Sequence, residues 1–90
     1  TAVVEADRPG VVTHVNNRLI NEIARRAGAP KDEAAGLVLE RRADDPVEVG
    51  DPLFTIHARK AEKLAEARAL AARSEAVRVR SPHEALVEWF

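Results

Sequence analysis

Residues 10–30 read GVVTHVNNRLINEIARRAGAP, and a change of period inside this stretch decides the fold class. Residues 11–15 alternate, with Val11 and Val15 on one face of an extended segment and Val12 and His14 on the other. At Asn16 and Asn17 the period changes. Leu19, Ile20, Ile23, Ala24 and Ala27 follow at helical spacing and form one apolar stripe. An asparagine side chain accepts one of the orphan N–H groups at a helix start, so the helix begins here. Arg25 and Arg26 occupy its last turn, where positive charge suits the helix dipole. Gly28 ends the helix and Pro30 keeps it from resuming.

Working outward, residues 3–6 are a short β-prone stretch, and the Asp7-Arg8-Pro9-Gly10 turn leads into the strand at 11–15. A hairpin between these two strands is the expectation. Beyond the helix, residues 31–35 read as a polar loop. Residues 36–41 read as a strand, with Leu37 and Leu39 opposite Val38 and Glu40. Turns at 43–46 and 50–52 enclose a brief extended piece at 47–49. A further strand covers 53–58, with Phe54 and Ile56 on one face. Residues 60–73 are rich in strong helix formers, and Ala61, Leu64, Ala67, Ala71 and Ala72 share a face there. Arg68 falls near that face and is expected to snorkel outward. Val77 and Val79 alternate with Arg78 and Arg80 as an edge strand. Ser81-Pro82 is a turn, and 84–90 forms a terminal element of open type. Short strands interrupted irregularly by two helices give an α+β domain rather than a doubly wound parallel sheet. No internal repeat is apparent.

The totals fit one domain. The chain has 90 residues, 46% of them hydrophobic and 32% charged, with a net charge of -1. That balance argues against disorder and against a dedicated nucleic-acid binder. There is no cysteine, which excludes disulfides, thiolate metal sites and a Cys/His dyad. No apolar run reaches the length of a membrane span, and the first residues do not read as a signal peptide. A chain that contains no methionine and starts within a strand is expected to be an excised piece of a larger protein; a processed natural start is the alternative.

The residues capable of chemistry do not assemble into a known motif. His14, His57 and His83 are far apart and lack the i, i+4 spacing of a helical zinc motif, so a structural or solvated role is expected. Asp44, Asp45, Glu48 and Asp51 crowd two turns, but Pro46 and the Val47/Val49 pair break the ligand alternation of a calcium loop. Aspartate is common in turns because it bonds its own backbone. The segments GAPKDEAAG and VGDPL lack the phosphate-cradling signature. Basic residues are scattered along the chain and read as solvated faces. With only Phe54, Trp89 and Phe90 as aromatics there is no base-stacking platform. Trp89 and Phe90 either close the small core or anchor an interface.

Two segments taken together carry a resemblance. They are GVVTHVNNRLINEIARRAGAPKDEAAGLVL at 10–39 and VEVGDPLFTIHA at 47–58, followed by the alanine-rich helix. The chain resembles the C-terminal domain of the pyrimidine nucleoside phosphorylase family, thymidine phosphorylases among them, over roughly 3–72. The Asn17-Arg18 start of the helix is similar to the longer variants, which include AMP phosphorylases. One departure is that Ala43-Asp44 stands where the family usually has Gly-Asp. The resemblance implies an α/β-hammerhead fold with a barrel-sandwich element. It implies a cytoplasmic parent enzyme that cleaves a nucleoside with inorganic phosphate, giving free base and sugar 1-phosphate. The family's phosphate- and base-binding motifs lie in preceding domains, so no catalytic, cofactor or metal residue carries over. The implied partners are the parent's remaining domains and, further, other copies in a homo-oligomer, with no nucleic acid and no membrane. Asn17, Arg18, Glu22 and Arg25 on one helix face, with Trp89 and Phe90, are the interface candidates. The rival readings are the C-terminal domain of an AMP phosphorylase, a free-standing interaction module, and a biotinyl or lipoyl carrier. For the carrier, Lys31, Lys60 and Lys63 lack the required hairpin context.

Overall fold

The computed structural model describes residues 1–31 and 35–81. Among them the elements run β1 (Ala2–Glu5), β2 (Gly10–Val15), α1 (Asn17–Ala27), β3 (Gly36–Leu39), β4 (Pro46–Val47), β5 (Pro52–His57), α2 (Ala61–Arg73) and β6 (Val77–Arg80). The strands make two three-stranded antiparallel sheets, ordered β1-β5-β3 and β4-β2-β6. With the two helices this is an α+β fold, and the strand, helix and turn positions follow the sequence pattern closely. The terminal element expected at 84–90, and with it His83, Trp89 and Phe90, lies outside the described residues, as do Asp32, Glu33 and Ala34.

α1 starts and stops where its local chemistry dictates. The Asn16 side chain accepts the Leu19 N–H at 3.2 Å. At the other end Gly28 takes φ +127, and the Gly28 and Ala29 N–H groups donate to the Arg25 and Ala24 carbonyls. Those carbonyls would otherwise be orphaned. The apolar stripe then buries Ile23 and Ala27. α2 has no side-chain N-cap, and Lys60 stands at the capping position. Its buried residues are Ala67, Leu70 and Ala71, with Leu64 partly buried, while Ala61, Ala72 and Arg68 are exposed. Leu64, Ala67 and Ala71 of the expected face are thus covered, but the stripe is rotated toward Leu70 and away from Ala61 and Ala72, because the larger side chain removes more apolar surface from water.

The β1–β2 hairpin does not form. β1 pairs with β5, through Ala2↔Ile56 and Val4↔Phe54, and β2 pairs with β4 and β6. The turn at 7–10 carries the chain from one sheet to the other. A turn signal fixes where the chain bends but not which strand it pairs with afterwards. Gly10 is needed at this crossing: a Cβ there would collide with the Arg80 carbonyl, with the carbonyl carbon at 2.7 Å. In β2 the register shifts between Val12 and His14, and the Thr13 hydroxyl donates to the Arg78 carbonyl at 3.5 Å. This irregularity breaks the alternation, which is why Val12 is fully buried and His14 exposed although a regular strand would put them on one face. Ile23, Ile56 and Val12 are the largest fully buried side chains, and Phe54, Leu53, Val47, Val77 and Val79 pack with them in one core.

Two turns lock the sheets together, and they are built alike. At 42–45 the Asp45 N–H donates to the Arg42 carbonyl (3.1 Å), and the Asp45 carboxylate accepts the Arg42 N–H (2.7 Å). At 48–51 the Asp51 N–H donates to the Glu48 carbonyl (3.1 Å), and the Asp51 carboxylate accepts the Glu48 N–H (2.8 Å). The first turn docks on Val12: the Asp44 N–H donates to its carbonyl (2.7 Å) and its N–H donates to the Asp45 carbonyl (2.9 Å). The second docks on Ala6 in the same way, through the Gly50 N–H (2.9 Å) and the Asp51 carbonyl (2.8 Å). Each turn is followed by a proline, Pro46 or Pro52, that opens a strand. This is a short structural repeat, and it corrects the expectation that the chain has none.

Candidate functional site

The four carboxylates that crowd the sequence at 44–51 belong to these turns. Asp45 and Asp51 close them, and Asp51 also lies 3.8 Å from Arg41. Among the described residues no group of three His, Cys, Asp or Glu side chains is placed to hold a metal ion. His14 is exposed on β2 and His57 is half-buried on β5. No helix among the described residues is long and apolar enough to cross a membrane.

The feature that sequence reading misses is a basic groove. The C-terminal end of α1 packs near the start of α2, and between them lies a depression of about 730 Å³. It is lined by Arg25, Lys31, Arg59, Lys60 and Lys63, together with Gly28, Ala29 and Pro30. Among the described residues no acidic side chain lines it. Arg25 makes a long ion pair with Glu22 (3.9 Å), while Lys31, Lys60 and Lys63 have no ion-pair partner among the described residues. Five cations in one depression stand out against a net charge of -1 for the whole chain. In sequence they look scattered, because two come from the first helix and its exit and three from the entry to the second. Only the packing of α1 on α2 joins them.

The interface candidates divide. Arg25 lines the groove, whereas Asn17 and Arg18 sit exposed at the opposite, N-terminal end of α1. Glu22 lies between and pairs with Arg26 at 3.4 Å as well as with Arg25. A second depression of about 490 Å³ opens between β1, β5 and the α2–β6 connection. Its polar rim is already engaged: Glu75 accepts a 2.7 Å hydrogen bond from Arg80 and lies 3.8 Å from Arg78. The Arg80 guanidinium holds the Glu75 carboxyl below the usual carboxylate range; burial partly opposes this, and the charges of Arg80, Arg78 and Arg8 add to it.

Two interlocked antiparallel sheets flanked by two helices define a small α+β domain. The model of the pyrimidine nucleoside phosphorylase C-terminal domain matches residues 11–77, and the chain belongs to that family. Curated relatives narrow the likeness. The AMP phosphorylase of Natronomonas pharaonis is 49% identical over 88 residues, 98% of this chain. The AMP phosphorylases of Pyrococcus furiosus and Thermococcus kodakarensis are each 46% identical over 79 residues, 88% of it. The chain spans only 18% of the first of these proteins and 16% of the other two.

Proposed function

We propose that the chain is the non-catalytic C-terminal domain of a phosphorylase whose substrate is AMP. The observation that carries this reading is the 49% identity, running over 98% of the chain, to a protein named AMP phosphorylase. Other relatives carrying that name favour a nucleotide over thymidine, the substrate that the family resemblance first brings forward. In the reaction a phosphate oxygen attacks the anomeric carbon and the glycosidic bond to the base breaks. The base leaves, taking up a proton, and from AMP the sugar product carries phosphate at both its 1 and 5 positions. Inorganic phosphate is the co-substrate, and no cofactor is required.

This chain's part is structural. It packs against the remaining domains of the parent, and through them supports an oligomer in the cytoplasm. The Asn17, Arg18, Glu22 and Arg25 face of α1 is the proposed contact, with Trp89 and Phe90 as further anchors. Release of free base from AMP, thymidine and uridine tests the reading, assayed with and without phosphate. The full-length gene product is expected to release adenine from AMP in a phosphate-dependent way and the 90-residue chain to release none. Turnover by the chain alone would overturn the non-catalytic assignment. Thymidine turnover without AMP turnover would restore the other substrate.

A further inference from the structure

We draw no further inference here: the strongest candidate, the exposed pair Val3 and Val38 set on either side of Thr55 across the β1-β5-β3 sheet, is a small apolar patch, and nothing in the structure shows what covers it.

Discussion

The turns at 42–45 and 48–51 have the same hydrogen bonds, the same closing aspartate and the same mode of docking, yet they differ at the third residue. In the second it is Gly50, at φ +90. In the first it is Asp44, at φ +76, the one non-glycine among the described residues with positive φ. A turn with positive φ at this position favours glycine, because a Cβ crowds the backbone there. Asp is among the few residues that tolerate the conformation, since its short side chain can bond locally. The shared docking thus dictates the backbone, and the side chain adapts to it. Ala43 has no positive φ, so an alanine is accommodated there and the turn closes with the left-handed conformation at Asp44.

The comparison breaks most sharply at Gly50. A Cβ there meets nothing closer than the Glu5 carboxylate at 3.8 Å, so the cost of Gly50→Ala is conformational rather than steric. About 1–2 kcal/mol of destabilisation is expected, read as a Tm lower by several degrees. A neutral result would mean that docking on Ala6 does not fix the positive φ.

The converse change sharpens it. Asp44→Gly makes the two turns alike and relieves the left-handed strain, while glycine adds freedom to the unfolded chain. The net expectation is a gain of about 0.5 kcal/mol, seen as a higher midpoint in urea. A loss would show that the Asp44 side chain contributes a contact of its own.

These turns also show what could be read beforehand. α1 was legible from Asn16 to Gly28 because caps and apolar period are local signals. The placement of β1 and β2 in separate sheets was not, since it depends on Val12 and Ala6 each receiving a turn from far along the chain, the one at Asp44 and the other at Gly50. The repeat itself was hidden because its common element is a backbone conformation. Asp-Pro recurs at 45–46 and 51–52, but Asp44 and Gly50 look unrelated until their φ angles are seen together. The groove was illegible for a similar reason: Lys31 and Lys60 become neighbours only once α1 packs on α2. The family resemblance reached further than periodicity, since it rests on the order of several motifs at once.

The smallest test concerns the other edge of the sheet that the first turn secures. β2 is flanked on one side by β4, held by the turn at 42–45, and on the other by β6, where Glu75 is bonded to Arg80 and lies near Arg78. The folded pKa of Glu75 is depressed, chiefly by the Arg80 hydrogen bond. Its contribution is therefore full above the unfolded value, about 4.3, and is lost as pH falls through the folded value. The Glu75 side chain is 49% exposed, so solvent screening holds the whole effect to about 0.5 kcal/mol or less. Glu75→Gln should lie below the parent in stability at pH 7 and converge with it as pH falls through the depressed folded value, measured by thermal melts from neutral to acid pH. A gap that persists at low pH would assign the loss to packing at the β6 edge instead of to charge. Glu75→Gln thus reports on the ionic edge under acid, while Gly50→Ala and Asp44→Gly report on the turns at neutral pH.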